Sequence, residues 1–224
     1  MASTDPKIST KMRLILTAEK LFSEKGLDQV TTKEILAAAE QRNESALQYH
    51  FGSREKLIRA ILELRVNEVD ERRVELLDAL EAKGRDKVQL REVVRAAIEP
   101  LSERIGDAEG RRFIVIMSYV VADPRFDIVG SSIRLGFPGI RRCRRWMQVH
   151  MKGLDAALQE LRLRMVIELG VGALGSAARE LEFSDEPRDM GLFLEQLLDT
   201  LTAHLQSDPS SQTLSTLTKN KNQS

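Results

Sequence analysis

Between Val30 and Leu57 the sequence signals three separate helix starts, and that density of punctuation limits the fold more than any other feature. Thr31 followed three residues on by Glu34 is a capping box, and Asn43 and Ser53 are good N-caps for the second and third helices. Ile35, Leu36 and Ala39 give the first helix one apolar face; Leu47 gives the second its inward contact, and Phe51 plugs the junction. Arg42, Asn43, Ser45, Gln48, Tyr49 and His50 are left pointing outward. A helix this short is not stable alone in water, so its polar residues must be carried on a platform. Two short helices at a tight turn on such a platform form a helix-turn-helix, whose second helix enters the major groove of DNA.

The rest of the chain reads as helices of 3.6-residue period. From Thr10 to Lys25, Leu14, Ala18, Leu21 and Phe22 recur on one face, and Gly26 stops the helix as a C-terminal glycine should. The helix opening at Arg54 continues to about Lys83, long enough to tie the reading head to whatever follows. A further helix fits 88–104, with Pro100 in its last turn. Residues 113–121 are apolar almost all round, which predicts a buried central helix that Asp123-Pro124 ends. A long helix is expected from about Phe126 to Met151, interrupted near Gly136 to Gly139, and two more over 155–182 and 187–205, the last with Pro187 in its first turn. No segment alternates with period two long enough to argue for a sheet. The reading is all-α.

Composition narrows the function. Lys+Arg and Asp+Glu are balanced at 34 each, and residues 1–60 hold ten basic against eight acidic residues. A DNA-binding reading therefore rests on motif and geometry, not on bulk charge. The single cysteine, Cys143, leaves no intrachain disulfide and suits a reducing compartment. With no apolar run of membrane-spanning length and no signal-peptide core, a cytoplasmic protein without a membrane partner is expected.

Four further signals have competing readings. Gly170-Val171-Gly172-Ala173-Leu174-Gly175 has the glycine spacing of a dinucleotide turn, but helix on both sides favours close helix packing at an interface over a cofactor, and no cofactor is expected. Arg141 to Arg145 is the densest basic run; with Ile140, Cys143, Met147 and Met151 along one side of its helix, most of these arginines should be solvated, with ion pairs or an anionic effector group as other uses. Cys143 on that apolar stripe reads as a buried, inert thiol. His50, His150 and His204 are too scattered for a metal site, and none is expected.

The run from Ser45 to Leu57 resembles the end of the DNA-binding region in the tetracycline-repressor (TetR) family of bacterial regulators. Ala18 to Gly26 is similar to the end of that family's first helix, and Val30 to Ile35 to the opening of its second; the match covers about residues 12–60. The turn departs from the family's usual Ala-Gly-Val-Ser: here Ala39-Glu40-Gln41-Arg42-Asn43 is one residue longer and lacks the glycine that a left-handed position favours. The resemblance implies that Thr32 and Lys33 stand near phosphate and base edge, that Tyr49 and Arg54 meet the backbone, and that Asn43, Ser45 and Gln48 read bases. Arg42 and Lys33 would be the candidates for guanine, with His50 touching a phosphate or supporting Tyr49.

The resemblance also implies a homodimer that presents two heads to a near-palindromic, double-stranded operator, with the last two helices as its interface. Val171, Leu174 and Ala178, with Phe193, Leu197 and Leu201, are the expected interface residues. A small apolar or amphipathic effector is expected among the central helices, against Phe113, Met117, Tyr119, Phe137, Trp146, Met147 and His150, although ordinary core packing would use the same side chains. The chain thus divides into a three-helix DNA-binding domain (1–58), a helical effector-binding and dimerisation domain (59–206) and a disordered tail (207–224). The function expected is a ligand-responsive regulator, a repressor rather than an enzyme, since no nucleophile motif is present. A constitutive DNA-binding regulator and a helical enzyme are the competing classes.

Overall fold

The computed structural model describes residues 8–43, 45–126, 136–184 and 188–221, and every observation below concerns these. It contains ten α-helices and no strand among the described residues. The first, α1 (Thr10–Lys25), is capped by Ser9 and ends at Gly26, whose φ of 85° fits the expected glycine stop. Two short helices follow, α2 (Thr32–Ala38) and α3 (Ala46–Phe51), and then α4 (Arg54–Glu81), opened by the Ser53 hydroxyl accepting from Lys56 N–H at 3.2 Å. Leu14, Phe22, Ile35, Leu57 and Ile61 are fully buried and, with buried Leu47 and Phe51 of α3, join the four helices in one core.

The body is formed by α5 (Leu90–Glu103), α6 (Ala108–Ala122), α7 (Pro138–His150), α8 (Ala156–Phe183) and α9 (Met190–Gln206). Helix α6 is the central one, with Phe113, Ile114, Ile116 and Val120 wholly buried and its longest packing contact against α8. Helix α4 leaves the head to pack on α5 and α7, while α9 lies against α5 and α8. The N-terminal head is not an isolated bead, because α1 packs on α6 as well as on α2 and α4.

Glycines mark two of the tightest approaches in the body. A Cβ on Gly170 would come within 2.8 Å of Ile98 Cδ1, and one on Gly175 within 2.4 Å of Ser118 Cβ. Gly170 and Gly175 of the glycine-rich run therefore serve helix packing, as its helical flanks suggest, inside the subunit against α5 and α6, while a Cβ on Gly172 would meet nothing within 4 Å. The helix expected from Phe126 begins, where described, at Pro138 in its first turn; 127–135 lie outside the described residues, as does Pro187. The tail departs from expectation: α10 (Ser211–Lys221) is helical. Ser210 caps it, Thr216 and Thr218 bond back to carbonyls four residues earlier, and Lys221 pairs with Asp155. None of its residues is buried, so apolar periodicity gave no sign of it.

Candidate DNA-reading head and interior cavity

Local hydrogen bonds build the reading head. The Thr31 hydroxyl accepts from Glu34 N–H at 3.2 Å and the Glu34 carboxylate accepts from Thr31 N–H at 2.7 Å, completing the capping box. These bonds, that from Thr31 N–H first, with Lys25 at 3.0 Å, pull the Glu34 pKa down to about 2. Helix α2 ends with Glu40 N–H donating to Ala37 O and Gln41 N–H to Leu36 O, the paired bonds of a Schellman C-cap. The left-handed residue of that cap is Glu40, φ 54°, where most sequences would place glycine. The longer turn thus keeps the usual hydrogen bonds with a residue that fits them poorly.

The second start lies slightly later than its cap residue suggests. Helix α3 begins at Ala46, preceded by Ser45, and Asn43 acts one turn earlier, its side-chain oxygen accepting from Ser45 N–H at 2.9 Å. The short polar side chain favours this local bond over the flanking helix position. Ala46, Leu47 and Phe51 are buried, so Gln48 and Tyr49 are turned out; Tyr49 is 83% exposed. Thr32, Lys33, Arg42, Asn43 and Ser45 are exposed with them, and half-buried His50 meets the Tyr49 ring edge-on at 5.1 Å. Of the nine expected DNA-contacting residues, seven are thereby exposed and His50 is half-buried beside Tyr49.

Arg54 is the exception. Its guanidinium donates to Leu27 O and lies 4.9 Å from the centre of the Phe22 ring, so it braces α4 against α1. Burial lowers its pKa below the usual arginine value. The motif that carries the resemblance says nothing of side-chain direction, which the nearby Leu27 carbonyl and Phe22 decide.

A cavity of about 80 Å³ lies in the body between α4, α5, α6, α7 and α8, room for several waters at roughly 10–15 Å³ each. Four expected effector contacts, Phe113, Met117, Phe137 and Met147, line it. Three do not. Trp146 is turned about one helical step away, donating from Nε1 to Glu81 at 2.8 Å under the Arg85 guanidinium. His150, at the end of α7, is exposed. Tyr119 faces a shallow hollow between head and body with Leu27, Asp28 and Arg125.

Two charged lining residues escaped sequence reasoning, Asp70 and Arg73 of α4, 3% and 6% exposed. The Asp70 carboxylate accepts from Gly139 and Ile140 N–H, 2.8 Å each, so it caps α7 from another helix. Gly139 is needed there, since a Cβ would lie 2.6 Å from Asp70 O. Arg73 Nε donates to Ala97 O at 3.2 Å. Cys143 is fully buried beside them, and desolvation pushes its thiol up to about 12. Within the basic run, Arg142 pairs with Asp78 and Glu81 and Arg144 with Glu160, while Arg141 and Arg145 are exposed.

The expected interface residues are core. Val171, Leu174, Ala178, Leu197 and Leu201 are buried within the subunit, and Phe193 is half-buried beneath Arg188. The apolar side chains that α8 and α9 leave in water are Leu161, Leu169, Phe183 and Leu192, 46% to 80% exposed.

Residues 14–61 match the sequence model of bacterial regulatory proteins of the tetR family. The reading head is thus similar to a tetR-family domain. The tetR likeness in fold extends through the body: a tetR-family transcription regulator from Shewanella sp. PV-4 aligns over 86% of this chain and 98% of its own, at 18% identity and a TM-score of 0.50. The transcriptional regulatory protein RHA5900 aligns over 88% and 100%, at 22% and 0.50. No curated protein matches the chain. The chain has the fold of tetR-family DNA-binding regulators. Among the described residues no helix is long and apolar enough to cross a membrane.

Proposed function

We propose that this chain is a dimeric, ligand-responsive repressor that reads a near-palindromic operator with α3 and the start of α2. The observation that carries the reading is the outward set of Lys33, Arg42, Gln48 and Tyr49 on a head whose inward residues are all committed to packing. Arg and Gln supply the bidentate donors that base edges take, and Tyr49, propped by His50, suits a phosphate. Arg54 has a bracing role in this reading.

Effector control is supported by α4. Val66, Asp70 and Arg73 of this helix wall the cavity, and Leu57 of the same helix is buried in the head. A ligand shifts operator affinity only if it prefers one arrangement of the cavity over the other. The exposed leucines of α8 and α9, with Phe183, supply the apolar surface that a two-fold partner would cover.

Electrophoretic shift of DNA flanking the gene tests the reading. The wild-type protein is expected to retard that DNA, and a Gln48→Ala/Tyr49→Ala double variant to bind at least about tenfold more weakly, the lost base contact being worth ~1–3 kcal/mol and the phosphate contact adding to it. Unchanged retardation by the double variant would overturn it.

A further inference from the structure

Charge is distributed unevenly around the interior cavity. Most of its wall is apolar, with Phe113, Met117, Met147 and Val166 among the lining side chains, but at one place Arg73 stands 6% exposed. A guanidinium carries five N–H donors. Among the described residues only Nε donates within hydrogen-bond distance, to Ala97 O. Asp70 Oδ1 is 3.8 Å from Nη1, too far for a hydrogen bond, and both Asp70 oxygens are already held by the Gly139 and Ile140 N–H groups. That carboxylate is directed at the start of α7. Arg144, the other basic lining residue, is paired with Glu160, and the neutral thiol of Cys143 offers Arg73 no counter-charge. A guanidinium in a largely apolar wall gains from each further acceptor, and Arg73, with one hydrogen bond among the described residues, lines open volume.

We infer that the cavity binds an amphipathic monocarboxylate, whose carboxylate forms a two-pronged contact with the Nη groups of Arg73 while its hydrocarbon part lies among Phe113, Met117, Met147 and Val166. The planar fork of arginine matches a carboxylate in this way. A single charge is favoured over a dianion, because Arg144 is paired with Glu160 and Arg73 already has Asp70 at 3.8 Å, close enough for an ion pair though not for a hydrogen bond. The inference rests on the reading of this cavity as the effector site.

Calorimetric titration of the full chain with butanoate, 1-butanol and butylamine, short chains chosen for a cavity of about 80 Å³, tests it without any variant. Butanoate is expected to bind at least about tenfold more tightly than 1-butanol, the margin of one charge-assisted contact, and butylamine more weakly than either. Arg73→Met should abolish the preference for butanoate over the alcohol; Arg73→Lys, which keeps the charge but loses the fork, should retain part of it. Circular dichroism and operator retardation check that each variant is folded. Equal binding of butanoate and 1-butanol would overturn the carboxylate and leave the cavity as an effector site. Absence of binding by all three would overturn both, and operator retardation by the unliganded protein would still stand on its own result.

Discussion

At Glu40 a carboxylic side chain occupies a backbone position that costs an L-residue roughly 1–2 kcal/mol. The turn tolerates it because Gln41 and Glu40 N–H groups still reach the last carbonyls of α2. Glu40→Gly should therefore raise stability by about 1 kcal/mol in urea denaturation, less the entropy glycine adds to the unfolded chain. A loss of stability would mean that the Glu40 side chain does something its exposure does not suggest. The sequence was a good guide at this scale wherever a bond spans three or four residues. Thr31 with Glu34, Ser53 with Lys56, and Gly26 at the end of α1 were all legible, since cap chemistry is written within one turn. Arg54 was not, because its partners, Leu27 and Phe22, belong to another helix and loop.

Helix α7 illustrates the same limit among elements. Its N-terminus is capped by Asp70, a residue 69 positions earlier, and no local pattern reports such a bond. Asp70→Asn offers one acceptor where two N–H donors wait, sets an amide N–H₂ against the other, and removes the charge nearest Arg73. We expect a loss of about 3–5 kcal/mol in chemical denaturation, larger than most single surface changes. A loss below about 1 kcal/mol would show that α7 does not depend on this cap. Helical phase explains the mixed record of the cavity residues. Cys143 and Met147 are one turn apart and both line it, whereas Trp146, one residue before Met147, is carried round the helix toward Glu81.

In the whole molecule, leucine periodicity identifies a buried face without saying which chain does the burying. Val171, Leu174 and Leu201 have the expected burial but within their own subunit, and the large apolar side chains that α8 and α9 expose, which the proposed dimer would cover, are Leu161, Leu169, Phe183 and Leu192. The double variant Leu169→Asp/Leu192→Asp should raise the dimer dissociation constant by about a hundredfold or more without unfolding the subunit, as light scattering with size exclusion would read. An unchanged dimer would place the interface elsewhere. Helix α4 then has a mechanical meaning that follows from its being continuous over 28 residues. From Arg73 to Arg54 it is a stiff strut of about 28 Å, at ~1.5 Å per residue. A tilt of about 5° at the cavity end therefore swings the far end by roughly 2–3 Å, nearly the length of a hydrogen bond. In the proposed dimer, two struts swinging in opposite senses across a two-fold axis would double that error between half-sites, so a tilt of a few degrees around a small guest would spoil the spacing while every helix stays folded.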